Sequence, residues 1–342
     1  MVEIDGKRYP TLADIRDAIS RGETGPGNFV NNSPGIFLLG ETDLRTTSTG
    51  SEFYDSVVRD RTGETRVKIW SWKEKPVAGL VVFADYKHDS RYGLSLEILG
   101  GKPLPSVSDD LLCELVPSAD VERERKLLEE LVAAVSTEPL RKLLQVAFDP
   151  QSEIYDAYCK APAASSYHHV RIGGLIEHSV NVAKICLKVC ELEFASHADR
   201  DLLVAGALLH DIGKIWSYSY DDASFSITTK GALEDHMAIG VKILAGLVAR
   251  IESFPNYYEE QLTHMIVSHH GMREWGATVV PKTLEAMILH NCDRLDAKVE
   301  EFNQLIEQTP AGEEWSEYQR ILGTKVYLGR RPEDEPLQQE EA

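Results

Sequence analysis

The stretch LLVAGALLHDIGK, residues 202–214, places an apolar run directly before a histidine, an aspartate and a lysine. Its apolar residues recur at spacings of three and four, which predicts a helix that packs against neighbours. Adjacent His210 and Asp211 offer a neutral ring nitrogen and a carboxylate to one region, and a carboxylate has two oxygens with which to bridge two cations. Lys214 follows at i+4 from His210, on the same helical side, where its ammonium group could meet a phosphate oxygen.

The same helical period continues through most of the chain after about Asp120. Apolar residues at spacings of three and four mark six further segments: 120–135, 137–148, 179–193, 235–251, 259–270 and 281–308. A chain of amphipathic helices with short connections is typical of an all-α bundle. We therefore predict that the second half of the chain is α-helical.

The first half has a strand-like pattern instead. A short helix is predicted over 11–22, with Thr11 as N-cap and Gly22 as stop. Five short β runs with glycine-containing turns follow: GIFLLGE (35–41), EFYDSVVRD (52–60), ETRVKIWSW (64–72), LVVFADYK (80–87) and RYGLSLEILGG (91–101). This pattern predicts a small closed β-barrel.

Composition is that of a globular protein with an acidic helical half. The 342 residues are 43% hydrophobic and 27% charged, which excludes a disordered or coiled-coil chain. The net charge is −19, and residues 119–342 hold 22 Lys and Arg against 37 Asp and Glu, which argues against a long basic groove. No apolar run of 18 residues and no signal peptide are visible, so we expect a cytoplasmic protein without a membrane partner.

Four residues carry a resemblance to a known superfamily. His178 in GGLIEHS, the pair His210 and Asp211, and Asp293 in NCDRLDAK resemble the four metal ligands of the HD phosphohydrolases. That resemblance implies a helical bundle that gathers these side chains around a divalent ion. Satisfied polar residues at helix ends are the structural alternative.

Three further histidines extend the resemblance to the binuclear members of the superfamily. They are His236 in LEDHMAIG and the pair His269 and His270 in VSHHG. Asp211 would then bridge two metal ions and act with Lys214 in catalysis. Mixed nitrogen and oxygen ligation suits Mn²⁺, which we favour, or Fe²⁺ or Co²⁺. The alternative is a mononuclear site in which these histidines contact phosphate.

A closer resemblance spans roughly residues 30–308. The chain is similar to the YhaM family of 3'-5' exoribonucleases in five stretches: 162–179, 202–214, 229–240, 262–271 and 281–298. The resemblance implies an N-terminal OB fold and a C-terminal HD domain. Our expected division is a helical extension (1–26), an OB-like nucleic-acid-binding barrel (27–118), an HD domain (119–308) and a C-terminal segment with a disordered acidic tail (309–342).

One face of the barrel suits a single strand of RNA or DNA. With a period of two, Arg66, Lys68, Trp70 and Trp72 point to the same side of 64–72. Bases stack on aromatic rings while cations meet phosphates, so this face is a candidate substrate-binding surface. The alternatives are tryptophans in the core, and an OB fold that binds a protein or a sugar.

His168 and His169 precede a predicted helix and are further substrate-binding candidates. They could bind a substrate phosphate, orient the metal ligands, or cap and pack. His290 lies three residues before Asp293 and could orient a ligand or be structural.

The activity implied by the resemblance is metal-dependent hydrolysis of single-stranded RNA, or DNA, from the 3' end. Three alternatives stay open: a nucleotide or cyclic-nucleotide phosphohydrolase, a non-catalytic single-strand-binding or scaffold protein, and a di-iron oxygenase. The sequence leaves the oligomeric state open, a homo-oligomer included.

Overall fold

A computed structural model describes residues 2–4, 7–23, 31–40, 42–70, 76, 81–88, 95–103, 115–116, 118–164, 171–219, 226–309, 314–316, 318–319 and 322–329. The chain divides into two compact units, one formed by 1–116 with 301–342 and the other by 117–300. The predicted fold class is confirmed, because a β-sheet unit is followed by a helical one. Among the described residues, no helix combines the length and hydropathy that a bilayer span requires.

The first unit is built from strands and one short helix. Its strands are β1 Val2–Ile4, β2 Lys7–Tyr9, β3 Asn31–Leu39, β4 Asp43–Thr46, β5 Glu52–Asp60, β6 Gly63–Ile69, β7 Val81–His88 and β8 Ser95–Pro103. Helix α1, Leu12–Ser20, follows β2. The five predicted β runs correspond to β3, β5, β6, β7 and β8, whereas the sequence pattern missed β1, β2 and β4.

Five of these strands close into a barrel. Strand β3 pairs with both β7 and β5, β7 pairs with β8, and β5 pairs with β6. The ring closes through β6 and β8, which run parallel. Closure leaves these five strands without a free edge, and it is free edges whose unpaired N–H and C=O groups can pair with strands of other chains. Strand β4 adds to β5 outside the ring.

Helix α1 completes the core of the barrel. The Thr11 side chain accepts a hydrogen bond from the Asp14 backbone N–H, and the Asp14 carboxylate accepts one from the Thr11 backbone N–H, so Thr11 is the N-cap as predicted and forms a capping box with Asp14. Gly22, in a left-handed conformation, follows its end. The buried apolar residues of helix and strands form one cluster: Leu12, Ile15, Ala18, Phe37, Leu39, Val58, Val67, Ile69 and Ile98.

The second unit is a helical bundle. Its helices are α2 Val121–Ala133, α3 Glu138–Ala147, α4 Glu153–Lys160, α5 Gly174–Cys190, α6 Arg200–Leu209, α7 Lys214–Ser217, α8 Thr229–Val248, α9 Asn256–Ser268 and α10 Leu284–Gln308. The last residues of α10, from Glu301, belong to the first unit. A two-stranded ribbon, β9 Tyr218–Ser219 with β10 Ser226–Ile227, lies between α7 and α8. Helix α6 is buried from Asp201 to Leu209, as expected for a helix whose residues after the first turn are apolar on all sides.

A glycine brings two elements of the bundle unusually close. A Cβ atom on Gly213 would lie 1.9 Å from the His236 carbonyl oxygen and 2.6 Å from the Gly240 nitrogen. Only glycine permits this approach of the α6–α7 turn to helix α8. The approach places His236 beside the side chains that the same turn carries.

Candidate metal centre

Seven polar side chains from five segments meet inside the helical unit. Helix α5 supplies one, the α6–α7 turn two, helix α8 one, the end of α9 two and helix α10 one. They are His178, His210, Asp211, His236, His269, His270 and Asp293. The structure therefore brings together every residue that the sequence proposed as a metal ligand.

The carboxylate of Asp211 lies at the middle of the cluster. Its Oδ2 atom is 3.4 Å from His210 Nε2 and 3.5 Å from His178 Nε2. Its Oδ1 atom is 3.4 Å from His269 Nε2 and 3.5 Å from His236 Nε2. The two oxygens thus face two different histidine pairs, as a bridging carboxylate requires.

Each half of the cluster contains a further candidate ligand. Asp293 Oδ1 lies 3.1 Å from His178 Nε2 and 3.8 Å from His210 Nε2. On the other side, His270 joins His236 and His269 in a group whose donor atoms lie within 4.8 Å of one another. Two donor sets result, and they share Asp211.

The imidazole rings are fixed by bonds through their second nitrogen. Nδ1 of His210 and Nδ1 of His269 each bond the main-chain carbonyl three residues earlier, at 2.8 and 2.7 Å. Nδ1 of His270 bonds the carbonyl of Trp275 at 2.9 Å. Because a carbonyl only accepts, Nδ1 carries the proton and Nε2 of His210 and His269 presents its lone pair to the cluster.

His178 is held by a carboxylate that the sequence analysis did not identify. Its Nδ1 is 2.7 Å from Oδ2 of Asp296, which is itself buried. Burial lowers the pKa of His178, but Asp293 and Asp296 outweigh it and raise the pKa to about 10. A carboxylate behind a ligating histidine is a common support of metal sites, because it orients the ring and makes it more basic.

Two buried atoms of the cluster lack a hydrogen-bond partner, and this shows whether the residues fit a metal ion. Nε2 of His210 and Oδ1 of Asp211 are fully buried and lack a hydrogen-bond partner. A carboxylate oxygen that is buried without a hydrogen bond or a cation destabilises the fold by roughly several kcal/mol. That is about the cost of removing one partner of a buried ion pair. A divalent cation would satisfy both atoms at once, and the mixed nitrogen and oxygen donors suit Mn²⁺, Fe²⁺ or Co²⁺. The residues therefore fit the metal that the sequence predicts.

The protonation states of Asp211 and His270 suit metal ligation. Although burial raises the pKa of Asp211, neighbouring Lys214 and His210 outweigh it and hold the pKa well below its usual range. Burial and the adjacent His269 lower the pKa of His270 to about 4. At neutral pH the carboxylate is ionised and the His270 ring is neutral, which are the forms that bind cations.

Lys214 lies in the cluster as well. Its Nζ atom is 2.5 Å from Asp211 Oδ2, and the side chain is buried. Burial lowers its pKa, but Asp211 outweighs that effect and the pKa is raised, so the ammonium stays charged. Lys214 is thus the cation paired with Asp211.

Asp235 supports His236 from a strained backbone. Its φ of 66° and ψ of 152° interrupt helix α8 in a region that is essentially restricted to glycine. Its Oδ1 atom lies 3.1 Å from Nδ1 of His236 and accepts the N–H of Met237 at 2.9 Å. The strain is therefore located where the chain turns a candidate ligand toward Asp211.

Replacing Asp235 by glycine separates these two roles. We expect Asp235→Gly to lower hydrolysis about tenfold or more, because His236 loses the acceptor that orients its ring. Thermal stability should change little, since relief of about 1–3 kcal/mol of strain offsets the lost hydrogen bond and the added chain entropy. Steady-state kinetics and a melting curve measure both effects. Asp235→Asn, which keeps an acceptor, is the matched control, and an unchanged rate in Asp235→Gly would show that Asp235 does not position His236.

The candidate substrate-binding residues are in part outside the described residues. His168, His169 and Trp72 fall in segments that the structure does not describe. Arg66, Lys68 and Trp70 lie on β6 and directly after it, in the barrel unit.

The outer face of β5 and β6 combines an aromatic pair with paired charges. The Trp70 ring lies 5.1 Å from the Phe53 ring between centroids, and both side chains are half-buried. Arg66 donates two hydrogen bonds to Asp55, and Arg45 lies 2.9 Å from the same carboxylate. Hydrogen bonds from Arg66 are the main cause that lowers the pKa of Asp55, despite partial burial. Asp55 thus offsets part of the positive charge of this face.

His290 also supports the cluster. Its Nδ1 bonds the main-chain carbonyl of His269 at 2.7 Å, so it fixes the backbone of a candidate ligand. The sequence analysis had considered, from the spacing of His290 and Asp293, that His290 could orient a ligand.

The same kind of spacing could have identified Asp296, because a residue three positions after Asp293 falls on the same helical face. No sequence signal marks the conformation of Asp235.

Comparison with known proteins gives matches over both units. Residues 175–298 match the family described as HD domain. The 3'-5' exoribonuclease YhaM of Listeria monocytogenes is 27% identical over 290 residues, which cover 83% of this chain and 91% of the relative. The protein of the same name from Oceanobacillus iheyensis is 29% identical over 293 residues, covering 82% and 88%. That of Bacillus subtilis is 27% identical over 284 residues, covering 81% and 88%.

No solved structure matches the chain. The HD-domain match contains all seven clustered side chains, and the resemblance to the YhaM family that the motifs indicated is confirmed.

Proposed function

We propose that this chain, an HD-domain protein similar to the YhaM exoribonucleases, is a metal-dependent 3'-5' exoribonuclease that acts on single-stranded RNA and accepts single-stranded DNA. The proposal rests above all on the position of Asp211, whose two oxygens each face a histidine pair. Two cation positions that share a carboxylate suit a phosphodiester, because the attacking and leaving oxygens both need charge stabilisation. The substrate class and the direction are those of the relatives, which are 3'-5' exoribonucleases. We also propose a cytoplasmic location.

The chain's own residues have separable tasks in this reaction. When bound, divalent ions supply Lewis acidity and a water of lowered pKa. His178, His210, Asp211 and Asp293 would hold one ion, and Asp211 with His236, His269 and His270 the other, with Mn²⁺ as the favoured metal.

Lys214 would contact the substrate. Its ammonium group bonds Asp211 at the middle of the cluster. If a cation were bound at Asp211, that carboxylate would no longer need the ammonium as its counter-ion, and Lys214 would then bond a phosphoryl oxygen of the substrate. Because burial excludes water around it, this charge acts at reduced screening.

The barrel would hold the strand. The half-buried rings of Trp70 and Phe53 offer a surface on which bases stack, and Lys68 lies on the same face. Asp55 offsets Arg66 and Arg45, so the face carries only a small net positive charge. Binding would depend on stacking more than on a wide basic surface.

Removing the tryptophans of this face tests the role of the barrel. We expect Trp70→Ala combined with Trp72→Ala to weaken binding of a single-stranded oligonucleotide by about 1–3 kcal/mol per lost stack. Hydrolysis of a dinucleotide should barely change. The logarithm of the binding constant should fall only shallowly with salt, because few counterions are released. Titration of a labelled oligonucleotide over a range of salt measures both quantities; equal affinities in a folded double variant would place the tryptophans in the core, and a steep slope would reveal a basic track.

A 5'-labelled single-stranded RNA with Mn²⁺ tests the proposed function. We expect a ladder of progressively shorter labelled products, which results from removal of nucleotides at the 3' end. An RNA of the same sequence held in a duplex is the matched control and should be shortened more slowly. Internal cuts, or an intact strand together with hydrolysis of mononucleotides or cyclic nucleotides, would contradict the proposal and favour a nucleotide phosphohydrolase.

A further inference from the structure

Trp275 is an exposed tryptophan that lies beside the candidate metal centre. Trp275 ends a short 3₁₀ helix, Arg273–Trp275, that follows the two histidines at the end of α9. Its carbonyl oxygen accepts the Nδ1 hydrogen bond of His270 at 2.9 Å, so its main chain contacts a candidate ligand directly. The side chain is nevertheless 47% exposed, which is unusual for the largest apolar residue.

The loop that carries Trp275 is held in shape by two glycines and its own hydrogen bonds. Gly271 and Gly276 both have left-handed φ values, 78° and 102°. A Cβ atom on Gly271 would lie 2.2 Å from the ring of His290, so the loop packs tightly on helix α10. The N–H groups of Trp275 and Ala277 both donate to the Met272 carbonyl at 3.1 Å. The indole is thus presented by a preorganised loop, which reduces the entropy lost on binding.

A guanidinium group lies over the indole. The Arg294 Cζ atom is 4.7 Å from the centroid of the Trp275 ring, and Arg294 directly follows Asp293 on helix α10. The ring of His290 lies 6.1 Å from the same indole at an angle of 35°. Nucleobases stack on exposed aromatic rings and on guanidinium planes, and here the guanidinium belongs to the residue next to the candidate ligand Asp293.

We propose that Trp275 and Arg294 form a nucleobase-stacking subsite that holds a nucleotide flanking the scissile phosphate. This inference rests on the proposed function and adds a recognition element within the helical unit, separate from the face of the barrel. The subsite reads the π-face of a base and not its edge, so it takes all four bases. It stacks a base next to the cleaved bond and so positions the phosphate at the metal centre.

The chain contains a matched control for this pair. Trp216 is 41% exposed, and the Lys230 ammonium lies 4.3 Å from the centroid of its ring. The Trp216 carbonyl accepts a hydrogen bond from Thr228 and does not hold a candidate ligand. Trp216→Ala therefore removes an exposed indole and its cation contact without altering the proposed subsite.

The test compares two substrates on the full-length, Mn²⁺-loaded protein. One is a ribodinucleotide, and the other is its analogue in which hydrogen replaces both bases. We expect Trp275→Ala to lower kcat/KM for the dinucleotide about tenfold or more and to change the base-free analogue less than about twofold. Trp275→Phe, which can still stack, should keep most of the activity. Arg294→Gln should also lower the rate only for the substrate with bases, and Trp216→Ala should show no dependence on the bases.

Each alternative outcome is distinct. An equal loss on both substrates would mean that Trp275 acts only by holding His270, and no loss on either would mean that no base stacks there; both results overturn the subsite. If the wild-type protein hydrolyses neither substrate nor any single-stranded RNA, the proposed function fails instead.

Discussion

Asp211→Asn is expected to lower hydrolysis of single-stranded RNA by more than about a hundredfold. The amide keeps the shape of the side chain but removes the negative charge that both donor sets share, so neither cation position stays complete. The rate of Mn²⁺-dependent shortening of a labelled RNA measures the effect. Because the amide oxygen can still accept a hydrogen bond from Lys214, the fold should be retained.

The control for Asp211→Asn is a double variant that also removes the buried charge of Lys214. Asp211→Asn leaves the buried ammonium of Lys214 without an anionic partner, and an unpaired buried charge costs about 3–5 kcal/mol. Combining it with Lys214→Met removes that charge, so the double variant should regain stability but stay inactive. Circular dichroism and a melting curve verify folding. If folded Asp211→Asn kept more than about a tenth of the activity, a bridging role for Asp211 would be wrong.

Lys214→Met is expected to lose rate without losing metal. Removal of one preorganised charge from a developing phosphoryl oxygen costs about a hundredfold or more in kcat. Metal content should stay as in the wild type, since Lys214 is a cation and does not ligate. Metal analysis and kinetics on the same preparation separate the two effects.

The stability of Lys214→Met should depend on the metal. In chelator, Asp211 loses the ammonium that lies 2.5 Å away, and the free energy of unfolding should fall by about 3–5 kcal/mol. With Mn²⁺ present the loss should be much smaller, because the ion compensates the carboxylate. A Lys214→Met protein that is depleted of metal, or one with wild-type kcat, would contradict the assigned role.

Local sequence patterns predict most of the architecture. Apolar spacings of three and four in the second half, and alternation with glycine turns in the first, separate the helical unit from the barrel. The HD dipeptide and the ordered histidines identify the cluster, because each lies within or directly beside an apolar helical segment. The alternation of Arg66 and Val67 also predicts which of the two is exposed.

Features that depend on contacts between distant segments stay hidden in the sequence. The pairing of Arg66 with Asp55 requires the register of β5 against β6, which residue patterns do not fix. Residues 301–342 belong to the same unit as the barrel, although no pattern in them indicates it.

Backbone conformation is equally hidden. Asp235 adopts angles that glycine favours, and its residue type predicts the opposite. The exposure of Trp275 follows from the fold of the loop between Gly271 and Gly276, whereas composition alone favours a buried ring.

The number of Mn²⁺ ions that each variant binds tests most directly whether two metal positions share Asp211 as a ligand. Calorimetric titration of metal-free protein should give two ions per chain for the wild type. His178→Ala and His269→Ala should each remove one ion and leave the other, because these rings lie on opposite oxygens of Asp211. Asp211→Asn should weaken both. A single ion in the wild type, or loss of both ions in each histidine variant, would contradict a centre with two metal positions that share one carboxylate.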